Sequence, residues 1–304
     1  MIINIIKTRD LYQKACQNKY DLHVLTDEER QKLQRHLLWM YKEIEVVCLK
    51  NNLTVMLAYG SVLGAIRHAG FIPWDDDMDL FMPRKDYDLF INHYSSDLPE
   101  YLQVYAPNSK NKALTRFAKV VDTRTKFIEA DEDDNDDHSQ GIFVDIFPLD
   151  SLNPSEKIKN TIKRLLSMIF MYVGASVRQY ELNNENYHAI MNYSMSSKIN
   201  YWLRQFIGFS FSFMSFQTWM NIVDRFCRNN VYTGFVSDLL CTYKWKPIPE
   251  CMLFPARVGL FEDVEVLLPH DAESHLEMTY GNWQRVPSVE ERRRHYIRKV
   301  QFVQ

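Results

Sequence analysis

The sequence predicts an α+β protein: a β-sheet core flanked by helices, with a helical insertion and a C-terminal helical segment. Three observations carry that expectation. A capped helix with strong 3.6-residue periodicity opens the main part of the chain. Three short apolar runs bounded by turn residues follow it, each the length of a buried strand. Residues from 155 to about 230 then read as mostly helical and rich in aromatics.

Each element has a local cause. In "TDEERQKLQRHLLWMYKEIEVVCLKNN", Thr26 and Glu29 have the spacing of a capping box, which satisfies orphan amides of the first turn. Leu33, Leu37, Met40, Ile44 and Val47 then fall on one face, and Asn51-Asn52 ends the helix. "LTVMLAYG" is a short apolar run and is expected as a buried strand broken at Gly60-Ser61. "SVLGAIRHA" is expected as a short helix closed by Gly70. Pro73 biases Ile72 toward extended backbone. "DMDLFM" is the second strand, in which Asp77 and Asp79 share one face while Met78 and Leu80 point to the other. Pro83 ends it, and "RKDYDLFINHY" is expected as a helix.

Further on, "LTRFAKVVDTRTKFIEA" reads as one or two strands packed through Phe117, Val120 and Phe127. "GIFVDIFPLD" is a third strong strand that carries Asp145 within an apolar run, where an unpaired carboxylate is costly. The intervening "DEDDNDDHSQG" is expected as a solvated acidic loop. It fails as a calcium loop, because Asp136 stands where that loop needs glycine and Ile142 where it needs glutamate. The C-terminal part reads as a short hairpin, a helix, a loop and a basic segment. In "YWLRQFIGFSFSFMSFQTWM" only Arg204 is charged and the aromatics occupy more than one face, so a buried helix is favoured over a membrane-docking one.

Composition narrows the function. Apolar residues make up 46% of the 304-residue chain, enough for a real core, and the net charge of -3 supplies no global basic field for nucleic acid. The five cysteines are an odd number without CxxC spacing, which argues against a disulfide framework or zinc site and for a reducing compartment. "MIINIIKTRDLYQK" is too short in apolar residues for a signal-peptide core, and no run reaches the roughly 18 apolar residues of a membrane span. A cytoplasmic protein is expected, with the inner face of a membrane left open as its working place.

One stretch does not fit a bland surface. "PWDDDMDL" places Asp75, Asp76, Asp77 and Asp79 together, and like charges at such spacing resist a shared environment unless a cation neutralises them. Gly60-Ser61 lets the backbone approach a phosphate, and the following helix offers it N-terminal amides. Asp77, Asp79 and Asp145 could hold one or two Mg²⁺, an ion that prefers oxygen ligands and serves phosphoryl transfer. Arg67 and Lys119 could add positive charge beside a diphosphate.

This order of features resembles the nucleotidyltransferase superfamily, with its Gly-Ser turn, Asp-x-Asp strand and third acid on a neighbouring strand. The longer "GSVLGAIRHAGFIPWDDDMDLFMPRKDYDLF", with "DIFPLD" and "TYGNWQRVP…ERRRH", resembles the LicD family of phosphotransferases, the group that includes the fukutin-related proteins. The resemblance covers roughly residues 25 to 300. It implies a nucleotidyltransferase-like mixed sheet, with residues 1–25 as an extension, 26–154 as catalytic core, 155–248 as a helical region and 249–304 completing the domain. It also implies Mg²⁺-dependent transfer of a phospho-alcohol such as phosphocholine from a CDP-linked donor to a hydroxyl of a surface glycan, such as lipopolysaccharide or teichoic acid, or of its lipid-linked precursor. Asp77, Asp79 and Asp145 would be catalytic and metal-binding, and Gly60, Ser61, Arg67 and Lys119 would bind substrate. Arg293, Arg294 and His295 lie in the C-terminal block and are further candidates. No nucleic-acid partner is expected, and peripheral membrane association is compatible with the acceptor. Two rivals remain open at this point: nucleotidyl transfer from an NTP to a small molecule, RNA or protein, and a non-catalytic glycan-binding role.

Overall fold

The computed structural model describes residues 8–19, 22–132, 139–229, 231–238, 247–292 and 295–303. Helix α1 (Thr8–Lys19) precedes the long helix α2 (Asp27–Lys50). Thr26 caps α2 as its sequence requires: its side chain accepts from the Glu29 amide, and the Glu29 carboxylate accepts from the Thr26 amide. The stripe Leu33, Leu37, Met40, Ile44 and Val47 is fully buried against the sheet.

The central sheet has the strand order β1-β2-β6-β4-β3, formed by β1 (Met56–Leu57), β2 (Asp79–Pro83), β3 (Leu102–Tyr105), β4 (Ala118–Asp122) and β6 (Ile142–Ser151). β2 and β6 run parallel, while β1–β2, β4–β6 and β3–β4 are antiparallel, so the expected α+β class holds and the sheet is mixed. β6 is buried on both faces over most of its length, which explains its near-continuous apolar run. Its far end pairs with β7 (Phe235–Ser237), which pairs with β8 (Ile248–Pro249).

Between β1 and β2 lies helix α3 (Tyr59–His68), and after β2 comes α4 (Arg84–Leu89), which continues as a π-turn over Phe90–Tyr94. α3 ends differently from expectation. Ala69, not Gly70, takes the left-handed cap, at φ 58°. Gly70 is required by space instead: a Cβ there would lie 2.1 Å from the Glu262 carboxylate, which accepts from the Phe71 amide. The strand expected over "LTVMLAYG" is only two residues long, because α3 already begins at Tyr59.

Four helices build the expected helical region: α5 (Lys157–Leu182), α6 (Glu185–Met191), α7 (Met195–Phe211) and α8 (Phe216–Cys227). The expected burial of the aromatic segment fails here. Trp202, Phe206, Phe209, Phe211 and Phe213 are exposed, while α7 buries Ser197, Asn200, Tyr201, Arg204 and Gly208. Trp219 and Met220 of α8 are buried as expected.

After the short helix α9 (Glu250–Leu253) come the hairpin β9 (Arg257–Phe261) and β10 (Val264–Leu268) and helix α10 (Ala272–Tyr280). The chain then closes on β11 (Ile297–Gln301), which pairs with β5 (Lys126–Glu129). That strand was not expected; it brings the basic C-terminal segment back to the acid-bearing end of the sheet. Cys16, Cys48 and Cys227 are buried free thiols and Cys251 an exposed one, while Cys241 lies outside the described residues.

Candidate active site

Parallel pairing sets the heart of the site. Asp79 is the first residue of β2 and lies in register with Asp145 of β6, whose other neighbour in register is Lys119 of β4. Residues in register project from the same face, so two carboxylates and one ammonium form a row across three strands. Lys119 Nζ lies 3.1 Å from Asp145 Oδ1 and 3.1 Å from the centroid of the Phe143 ring. Met78 and Leu80 are fully buried on the opposite side, as the alternation demands.

α3 is tied to this row through Ser61. Its Oγ accepts from the Asp79 amide at 2.9 Å, which fixes the first helical turn against the start of β2. Gly60 and Ser61 are thus part of the first turn of α3, and not of a turn preceding it. A Cβ at Gly60 would lie 3.1 Å from Asp75 Oδ2, so the glycine admits that carboxylate close to the helix N-terminus.

The four carboxylates of "DDDMD" prove to have separate settings. Asp76 is buried and accepts from the His295 amide at 3.0 Å and from its Nδ1 at 2.8 Å. Asp77 precedes β2 rather than lying within it. Among the described residues, the three metal-ligating side chains that converge within 4.8 Å are Asp76, Asp77 and His295. Asp79 is half-buried, and no described donor hydrogen-bonds to its carboxylate.

The electrostatics follow from this crowding. Burial raises the Asp79 carboxyl well above the usual range, with Asp77, Asp145 and Asp75 adding to the effect. Burial, then Asp77 and Asp76, does the same to Asp75. Asp77 is pushed up to about 6 by burial, held back by His295 and Lys119. Burial also raises Asp145, against the pull of Lys119. For His295 burial opposes the charge, but Asp76 outweighs it and holds the imidazole protonated well above its ordinary value. Five carboxylates therefore face two cations, His295 and Lys119. With Asp76 held by His295 and Asp145 by Lys119, the cluster still has an excess of carboxylate oxygens, a donor set whose chemistry fits a hard divalent cation.

Lys119 thus stands beside the acids, as the sequence reading expected. Arg67 is engaged elsewhere: its Nη1 donates to the carbonyls of Trp283 and Arg285 at 2.7 and 3.2 Å, and its Nε to His68 at 3.0 Å. It fastens α3 to the "YGNWQR" loop. Arg293 and Arg294 lie outside the described residues, as does most of the acidic loop; of that loop, Asp131 accepts from the Tyr12 hydroxyl at 3.2 Å. The pairing of Asp76 with His295, 219 residues apart, has no local signal beyond the position of His295 in the C-terminal block.

A cavity of about 800 Å³ opens at the other end of β2 and β6, lined by Pro83, Arg84, Lys85, His93, Leu149 and Glu250 among others. None of the seven predicted site residues lines it.

Comparison with known proteins bears on the same elements. The chain is similar to the lipopolysaccharide cholinephosphotransferase LicD of Haemophilus influenzae, at 24% identity over 257 residues, which covers 84% of this chain and 91% of that protein. It is also similar to uncharacterized proteins of Rickettsia prowazekii, at 30% over 99 residues (31% of this chain, 36% of that one), and Rickettsia typhi, at 34% over 68 residues (22% and 21%). Residues 52–172 match the family model described as LicD/FKTN/FKRP, nucleotidyltransferase domain, a span that holds α3, β2, β4 and β6 with Asp77, Asp79, Lys119 and Asp145. The acid row thus lies within the span that matches this family model.

Proposed function

We propose that this protein is a transferase that moves a phospho-alcohol, of the phosphocholine type, from a CDP-linked donor to a hydroxyl of a glycan or its lipid-linked precursor. The observation that carries the reading is the row Asp79–Asp145–Lys119, in register across three strands and joined through Ser61 to the N-terminus of α3. The similarity to a lipopolysaccharide cholinephosphotransferase over most of both chains supports the substrate class.

Asp79, Asp145 and Asp77 would hold Mg²⁺, which when bound supplies charge neutralisation to a transferring phosphoryl group. The protein's own groups do the rest. Lys119, which pairs with Asp145, would balance part of the charge of the donor diphosphate. The first turn of α3, opened by Gly60, directs its amides and positive dipole end at a phosphate oxygen. The acceptor oxygen bonds to the phosphorus nearer the alcohol, the bond from that phosphorus to the bridging oxygen breaks, and CMP leaves with the electron pair. Asp145, beside Lys119, either completes that metal site or takes the hydroxyl proton as general base.

The test is CMP release with Mg²⁺ from CDP-choline, CDP-ethanolamine, CDP-glycerol and CDP-ribitol, in the wild type and in Asp79→Asn. The variant is expected to lose at least about a hundred-fold in turnover while folding normally, the scale of removing one preorganised charge from a polar site. Normal turnover by a folded Asp79→Asn protein would sink the assigned role. The family description keeps nucleotidyl transfer as the rival. Incubation with labelled CTP or ATP decides between them, since nucleotide left on the acceptor belongs to the rival alone.

A further inference from the structure

Helix α7 is amphipathic the wrong way round for a soluble protein. Its buried positions are Ser197, Asn200, Tyr201, Arg204 and Gly208. Its outward stripe, spaced four-three-four-three, is Met195, Ile199, Trp202, Phe206 and Phe209, and Phe213 continues it beyond the last turn. Trp202 is 65%, Phe206 69% and Phe213 73% exposed. A helix facing water presents its polar side outward, so this stripe lacks its cover. Gly208 explains how the polar side is held in. A Cβ there would lie 2.4 Å from the Ser176 carbonyl oxygen, so α5 and α7 meet backbone to backbone.

Charge identifies the cover. Residues 157–223 carry seven basic residues against only Glu181 and Glu185, a net +5; of these Lys157, Lys159 (paired with Glu156) and Lys198 are exposed, while Arg204 is buried and Lys163 and Arg178 donate to backbone carbonyls. The whole chain carries -3, so the remainder carries -8. No carboxylate occurs between Glu185 and Asp224, the span that holds the entire stripe. α5 contributes exposed Lys157 and Lys159 and its own outward row, Ile158, Ile162, Leu165 and Ile169. A second copy bound face to face would set the exposed Lys157, Lys159 and Lys198 against the same lysines. An anionic lipid surface offers apolar depth for the aromatics and opposite charge for the lysines at once.

We propose that the outward face of α7, flanked by the basic face of α5, docks the protein on the surface of an anionic membrane without crossing it. Among the described residues no helix is long and apolar enough to span a bilayer. α7 is 17 residues long, and at about 1.5 Å per residue its stripe would lie in the interface for some 25 Å. The docking does not depend on the transfer chemistry, although a lipid-borne acceptor would be reached from such a position.

The test is flotation of the full chain with vesicles of phosphatidylcholine alone or with about a third phosphatidylglycerol, without donor or acceptor. The protein is expected to float with the anionic vesicles and to be released by high salt. Phe206→Ser combined with Phe213→Ser should weaken partitioning about a hundred-fold at unchanged melting temperature, because both rings are already exposed. Quenching of tryptophan fluorescence by bromine-labelled acyl chains should vanish in Trp202→Phe, which still floats. Absence of flotation with both vesicle types overturns the proposal. So does a stable dimer that shields Trp202 from an aqueous quencher, which assigns the stripe to a second copy. Since the assay contains no substrate, its failure leaves the transfer reading standing, and loss of transfer leaves vesicle binding intact.

Discussion

Arg84 is the residue whose loss the fold should tolerate least. It opens α4 directly after β2, and its guanidinium donates to both oxygens of Asp150 on β6, from Nε at 2.9 Å and Nη2 at 2.7 Å. Its Nη1 donates to Asp224 of α8 at 2.8 Å. Asp224 in turn accepts from Arg228 and from Asn108, and Arg228 reaches Asp88. Arg84, Asp150 and Asp224 are all buried. Burial opposes the charge on Arg84, but Asp150 and Asp224 outweigh it and hold the guanidinium firmly protonated. Arg84→Met keeps the stem and deletes the charge, leaving the buried Asp150 without its bidentate partner and the buried Asp224 with Arg228 as its remaining cation. Breaking such a pair from one side costs about 3–5 kcal/mol, against a total stability on the order of 5–15 kcal/mol. The assay is urea unfolding followed by circular dichroism. With a slope of about 2 kcal/mol per molar, the midpoint should fall by roughly 1.5–2.5 M at unchanged slope. Arg84→Lys should recover only part of the loss, because an ammonium cannot bridge both oxygens of Asp150 and reach Asp224. A midpoint within 0.3 M of wild type in Arg84→Met, a margin of about 0.6 kcal/mol on that slope, would refute the claim that this network joins the helical region to the acid-bearing strands.

Three further outcomes are expected. Gly64→Ala would place a Cβ 2.4 Å from the Gly70 carbonyl oxygen, a backbone atom that cannot swing aside, and should cost about 1–3 kcal/mol in the same unfolding assay. His275 on α10 is buried, makes no hydrogen bond among the described residues through either ring nitrogen, and burial pushes its pKa down to about 4. The unfolded chain binds this proton first, so the stability tied to a neutral His275 is full above about pH 6.5 and is lost as pH falls toward 4, by up to about 3 kcal/mol. His275→Leu should flatten the melting temperature across that window, and an unchanged slope would assign the effect to other groups. Mg²⁺ at about a hundred times its dissociation constant should stabilise the wild type by about 2.7 kcal/mol. Differential scanning fluorimetry should show that shift reduced in both Asp79→Asn and Asp145→Asn, whereas an equal shift in all three proteins would remove the two acids from the ion.

What the sequence made legible was what short-range physics decides. The Thr26–Glu29 box, the stripe from Leu33 to Val47 and the apolar run of β6 each carry their cause within a few residues, and each is found where it was expected. α7 shows the limit. Its aromatics were read as core because apolar side chains usually are, but periodicity shows only which residues share a face and not which way that face turns. The direction was set at long range, by Gly208 against Ser176 and by Arg204, which donates to the Tyr187 hydroxyl at 3.3 Å. Two signals were present all the same: the unbroken spacing from Met195 to Phe213, and the absence of any carboxylate between Glu185 and Asp224. Arg67 is a second case. Its charge and placement suggested a phosphate, but its guanidinium is taken by the carbonyls of Trp283 and Arg285, more than 200 residues away.

The acid cluster shows how chain distance and site geometry combine. By sequence alone Asp75, Asp76, Asp77 and Asp79 differ only in spacing. In the fold Asp75 crowds Gly60, Asp76 is claimed by His295, Asp77 converges with that pair, and Asp79 is carried by strand register to Asp145. β11 makes this division workable, because its pairing with β5 anchors the segment that delivers His295 to Asp76. With one acid satisfied by the imidazolium and another by Lys119, the charge left uncompensated falls on Asp75, Asp77 and Asp79, whose carboxyls are all held above their ordinary range. A core of hydrophobic residues could not hold that excess cheaply, since each raised carboxyl is free energy withheld from folding. Such strain, concentrated where β2 begins beside the N-terminus of α3, is the electrostatic feature on which the proposed cation and phosphorylated donor rest.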